Sequence, residues 1–218
     1  MQRRYPPEVT MSRPVRKKAE RKSPAERAAE IAAAAREVAV EDGISALTLR
    51  SIAARIDVAP ALVAHYEPNM ESLIARTFGG IVQAELIEVG ALVADLATPR
   101  ARLSHLLDTL LDGTRDDVTL IWVEAWAMGR RNEALAQRVR DEMDDWHAFL
   151  LGIVTAGVAE GEFETDDPAG VAWQLLGMID GLNAHALVRW GDSGERGSRI
   201  GHAVEGMLGM RRGALAVG

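Results

Sequence analysis

The 218-residue sequence predicts an all-α fold, and three features carry that expectation. Apolar side chains recur at three- and four-residue spacing along most of the chain. Several segments open on Ser, Thr or Asp, with Pro at the first helical position. No stretch alternates apolar and polar residues as a half-buried strand would. Hydrophobic residues make up 48% and charged residues 26% of the chain, ordinary values for a protein with a core.

The elements follow in order. Residues 1–22 are rich in Pro, Arg, Lys and Ser without periodicity and read as a flexible basic arm. Ser23-Pro24-Ala25-Glu26 is a helix start, with Ser23 as cap and Glu26 three residues on; Gly43 is its natural stop. Thr48 caps a second, short helix carrying Leu49, Ile52, Ala53 and Ile56. Residues 59–66 form a third, and Pro68-Asn69 breaks the chain before a fourth helix over about 70–92. Leucines from Leu103 to Leu111 follow Thr98-Pro99, and Ile121 to Trp126 and Leu135 to Leu150 continue the helical period. Asp166-Asp167-Pro168 reopens a helix through Trp173, Leu176, Ile179 and Leu182. A loop over 191–197 precedes the last helix, around Ile200 to Met210. The expected domains are a three-helix unit over 23–69, a helical body over 70–210 and a tail over 211–218.

Composition narrows the function. Without cysteine there is neither a disulfide nor thiolate chemistry. No apolar run approaches the ~18–20 residues of a membrane span, and the charged, proline-broken first residues lack a secretory signal. The expectation is a cytoplasmic protein with no membrane partner. The net charge of −7 is unevenly spread: residues 1–70 hold twelve basic and nine acidic groups, and the first 22 alone hold eight and two. A basic end and an acidic remainder suggest that one end meets a polyanion.

Residues 48–67, TLRSIAARIDVAPALVAHYE, have helix-turn-helix spacing. Ala53 lets two helices cross closely, while Ile52, Ile56, Val58 and Val63 supply a small core. Asp57 sits in the turn, where a left-handed backbone is needed and Asp is among the few side chains that tolerate it. A helix that enters the major groove needs small side chains near the bases and polar groups near phosphates. Ala59, Pro60, Ala61 and Ala64 permit close approach, and Leu62 can touch thymine methyls. His65 can donate to a base edge or phosphate, and Tyr66, Thr48 and Arg50 can hold phosphates. Arg13, Arg16, Lys17 and Lys18 could follow the adjacent minor groove.

On these residues the sequence resembles the TetR family of transcriptional regulators over essentially its whole length. The Ala34 to Gly43 spacing, T-x-R-x-I-A at 48–53 and the His65-Tyr66 pair carry the resemblance. IWVEAWAMGRRNEALAQRV and MIDGLNAHALV look like the BetI-type C-terminal domain. The resemblance implies a double-stranded DNA operator, a small-molecule effector and dimerisation through the last two helices. The chain departs from the family's usual residues at Asp57, Ala64, Glu67 and Met70. Glu67 stands where an aromatic core residue is usual, and Met70 where a phosphate-contacting lysine is.

In the body, Trp122, Trp126, Trp146 and Trp173 fall on apolar faces, with His147 and Asn183 near them in sequence. They are candidate ligand-binding residues, able to surround an apolar molecule or a quaternary ammonium, though Trp at helical spacing is also ordinary core. Asp144-x-x-His147 lacks the second pair a di-iron bundle needs. No G-x-S-x-G elbow occurs. No metal, cofactor or enzymatic activity is therefore expected. Leu176, Gly177, Gly181, Ala184, Gly201 and Leu208 are candidate dimer contacts, because small residues let helices approach closely. The combined expectation is a homodimeric, ligand-responsive regulator, a repressor of a near-palindromic operator, with the fourth helix transmitting the ligand's effect. The rival is an all-α metabolite-binding protein or enzyme with a basic tail and no sequence preference on DNA.

Overall fold

The computed structural model describes residues 22–191 and 196–215. Arg16 and Lys17, with Arg13 and Lys18, lie outside the described residues. The described elements are helices α1 (Pro24–Asp42), α2 (Leu49–Arg55), α3 (Pro60–Tyr66), α4 (Met70–Ala94), α5 (Pro99–Leu111), α6 (Asp116–Gly129), α7 (Glu133–Ala159), α8 (Pro168–Leu187) and α9 (Arg196–Met207), with one 3-10 turn at Ile44–Ala46. The all-α fold stands, and no strand occurs among the described residues.

Caps decide where these helices begin. Ser23 and Glu26 form the reciprocal box that opens α1, and Thr48 does the same for α2 with Ser51. Asn69, Thr98, Asn132 and Asp167 each accept a backbone N–H at the start of α4, α5, α7 and α8. Losing one such cap costs about 1 kcal/mol. The last described helix spans Arg196–Met207, so Arg196 and Gly197, expected in a loop, are helical. Gly43, with φ 86°, ends α1 and admits the 3-10 turn, which periodicity does not reveal.

Helices α1 to α3 form a head around Ile31, Ala35, Ile52, Ala53 and Val63, all at most 1% exposed. Burying an Ile or Val stabilises by roughly 1.5–3 kcal/mol, enough for a few such residues to fix the α2–α3 crossing. Asp57 adopts φ 51°, the left-handed conformation expected of the turn. The body is a bundle in which α4 packs along α7, and α6 and α8 pack on α7 and on each other. By length and composition α4 could cross a bilayer. Here eleven of its residues, Glu85 among them, are buried within the protein.

Candidate nucleic-acid interface and inner cavity

The head presents α3 on its outside. Its only fully buried residue is Val63, which faces α2. Ala59, Pro60, Ala61 and His65 are exposed, while Leu62, Ala64 and Tyr66 are half-buried. Pro60 at the first helical position needs no N–H partner, and Ala59 caps with its carbonyl, which accepts from the Leu62 N–H at 2.9 Å. The His65 ring meets the Tyr66 ring edge-on at 5.2 Å, and Tyr66 packs on the core, so the two side chains brace each other. Thr48 and Arg50 are exposed at the start of α2. The Thr48 Oγ1 accepts from the Ser51 N–H at 3.0 Å and lies 3.0 Å from the Ser51 hydroxyl, so the exposed hydroxyl is held in place at the start of α2 by its own cap. The structure thus brings the described candidate DNA contacts onto the α2 and α3 side of the head. Glu67 is not an orphan charge: Arg76 of α4 pairs with it at 2.6 Å.

The body encloses a cavity between α4, α6, α7 and α8. Its walls include Trp122, Trp126, Trp146, Met143, Leu176 and Ile179, with Glu85, Arg115, Asp180 and Asn183 as polar groups. Trp122 and Trp126 lie 5.7 Å apart, and Phe78 stacks edge-on against Trp122. Asn183 donates to the Leu110 carbonyl at 2.9 Å. The buried indole Nε1 of Trp146 has no hydrogen-bond partner among the described residues. Arg115 reaches Glu88 at 2.7 Å but Glu85 only at 3.7 Å. Asp180 has neither an ion pair nor a hydrogen bond among the described residues. Desolvation pushes the Glu85 carboxyl up to about 7 against the opposing pull of Arg115, and desolvation alone pushes Asp180 up to about 7. A cation brought between these two carboxyls would favour their charged forms and draw off their protons.

Several sequence expectations need correction. Trp173 is 71% exposed and does not line the cavity; it lies on the outer side of α8. One residue's offset rotates a helical side chain by about 100°, so its neighbour Ala172 is the buried one. His147 also stays out of the cavity, where its Nε2 lies 3.1 Å from the Ala169 carbonyl and ties α7 to α8. Leu176, expected at a dimer contact, lines the cavity and is half-buried. Gly201 and Leu208 are buried within their own chain. Gly177 is exposed, with Gly181 and Ala184 half-buried on the same helix. A Cβ added to Gly177, Gly181 or Gly206 would meet nothing within 4 Å, so this side is open. Glu85, Arg115 and Asp180 join the cavity without having stood out among the sequence's candidate residues. For the two acids the signal is a carboxylate inside an apolar helical run, as in IVQAELIEV and LLGMIDGLN; Arg115, in the polar stretch DGTRDD, carries no such signal.

Residues 31–77 match the family described as bacterial regulatory proteins of the tetR family, and residues 99–205 match the BetI-type transcriptional repressor C-terminal domain. The HTH-type transcriptional regulator BetI of Rhizobium meliloti (strain 1021) is 27% identical over 158 residues, 68% of this chain and 72% of that one. Among solved structures, a regulator from Saccharomonospora viridis in complex with choline superposes with a TM-score of 0.73 at 20% identity, over 83% of this chain and 96% of its own. A TetR transcription regulator from Haloarcula marismortui gives 0.70 at 25% identity, over 85% and 98%. FadR from Bacillus subtilis in complex with stearoyl-CoA gives 0.64 at 21%, over 82% and 98%.

Proposed function

Because the chain belongs to the TetR family, and is thus a DNA-binding, ligand-responsive transcriptional regulator rather than an enzyme, we propose that it is a cytoplasmic homodimeric repressor released from a near-palindromic operator by a small organic cation. The observation that carries this reading is the pairing of an exposed, small-residue α3 with an aromatic inner cavity whose charged groups are two acids, Glu85 and Asp180, against one base, Arg115. Thr48, Arg50 and Tyr66 hold phosphates on either side of α3, while Ala61, Leu62, Ala64 and His65 meet base edges. The open stripe of Trp173, Gly177, Gly181 and Ala184 on α8 seats the same stripe of a second copy. Two α3 helices in such a dimer would stand about 34 Å apart, one turn of duplex. Arg16 and Lys17 supply further phosphate or minor-groove contacts and offset the missing cation at Met70.

The effector's class follows from its container. An ammonium between Asp180 and Glu85 would neutralise charge that Arg115 reaches only loosely, and the faces of Trp122 and Trp126 favour a cation. The matched Saccharomonospora regulator, which holds choline, makes choline the first probe. The test is anisotropy of the duplex flanking the chain's own gene, with and without choline and a series of alkylammonium ions. The expected result is retention at about 150 mM salt in the presence of random competitor, and release by one of the cations. Equal affinity for every duplex, or release by an anionic ligand alone, contradicts it.

A further inference from the structure

Helix α6 has two sides with different neighbours. One side gives Trp122, Val123 and Trp126 to the cavity wall. The residue between them, Glu124, leaves the body and enters the head. Its Oε2 accepts from the Ser45 backbone N–H at 3.0 Å, and its Oε1 accepts from the Ser45 hydroxyl at 2.5 Å. The approach needs a glycine: a Cβ on Gly43 would lie 2.5 Å from the Glu124 Oε2. Gly43 also holds φ 86°, a conformation that side chains disfavour.

The gripped segment is in turn tied to the first turn of α2. The Ser51 hydroxyl donates to the Ala46 carbonyl at 2.8 Å, and Ser51 shares the Thr48 cap. Atoms entering the cavity therefore press on a helix that holds the head through two charge-assisted hydrogen bonds. Those bonds are short and directional, so they transmit a small displacement rather than absorb it. Ile44, Ile52 and Val63 are all fully buried in one apolar cluster, so pulling residues 43–46 moves α3 with them. Helix α4 is the covalent route between body and head; α6 is a second route that skips the Pro68-Asn69 break.

We propose that Glu124 is the positioning residue that couples cavity occupancy to the posture of the DNA-reading head, an inference that rests on the cavity being the effector site.

The test needs no knowledge of the effector. Met143→Trp fills the cavity from α7, and Leu176→Trp, entering from α8, replaces it should the first variant fail to fold by circular dichroism. Each is combined with Glu124→Ala and Glu124→Gln, and affinity is measured on a duplex selected by the unsubstituted protein from random sequences. With Glu124 intact, the filler is expected to weaken DNA binding by about 5–150-fold. In the Glu124→Ala background the filler's effect should shrink to within about twofold, whatever that variant's own affinity, and Glu124→Gln, which keeps one acceptor, should restore part of it. A merely structural role for Glu124 would lower affinity without changing this ratio. An equal filler effect in both backgrounds overturns the coupling role while leaving the effector site standing. No filler effect even with Glu124 intact overturns both.

Discussion

The head and the body use opposite arrangements of the same raw material. In the head, α3 turns Ala59, Pro60, Ala61 and His65 outward and buries little beyond Val63. In the body, four helices turn Trp122, Trp126, Trp146, Glu85 and Asp180 inward. A surface that must enter a groove is kept slim and locally encoded. A container for a small molecule is assembled from distant segments, and its polar groups bear the cost of burial. The contrast explains why one region offers hydrogen-bond donors to a polyanion while the other keeps carboxyls only loosely paired.

Substitutions can break each half separately. The largest expected effect is Gly177→Arg, which puts a cation on the open stripe of α8: sedimentation should report a monomer, and operator affinity should fall by ~1000-fold because one head loses its linked mate. Next, Ala61→Glu on the exposed side of α3 should weaken operator binding by ~100-fold through repulsion from phosphates, with an unchanged melting temperature. The same substitution should leave cation binding in the body intact, as seen by tryptophan fluorescence; loss of both would erase the division between the regions.

The body's carboxyls yield a pH effect of middling size. Folded Glu85 and Asp180 keep protons up to about pH 7, whereas their ordinary values are 4.5 and 3.8. The folded state therefore binds more protons between those limits, and its stability falls as the pH rises through about 7. Their contribution is fully present near pH 4 and lost above neutrality. Thermal melts from pH 5 to 8 should show a falling midpoint, and Asp180→Asn should flatten that fall and weaken cation binding. A midpoint that rises over this range in the unsubstituted protein would contradict the buried, loosely paired carboxyls. The smallest effect belongs to single phosphate contacts. Arg50→Ala should lower the salt slope by about one unit and weaken all sequences alike.

Legibility in the sequence follows the same division. Thr48, Asp57, Pro60 and the His65-Tyr66 pair lie within twenty residues, so their roles as cap, turn and exposed helix can be read from local rules. Asp57 at φ 51° needs only knowledge of which side chains tolerate that backbone. The cavity draws Glu85, Arg115, Trp146 and Asp180 from segments up to 95 residues apart, and no local pattern states which faces converge. Trp173 shows the difficulty: helical spacing allows it on either side of α8, and only the packing of Ala172 and Leu175 inward turns it out. Glu124 was equally invisible, because its partner Ser45 is 79 residues away.

The central claim is that α3, carried twice by one dimer, reads DNA sequence. Its most direct test is footprinting combined with mass measurement of the complex formed on the duplex flanking the chain's own gene, at about 150 mM salt. The expected result is two protomers protecting two major-groove segments one helical turn apart, with protection lost in Ala61→Glu. Uniform protection along the duplex, or a footprint that survives Ala61→Glu unchanged, would contradict it.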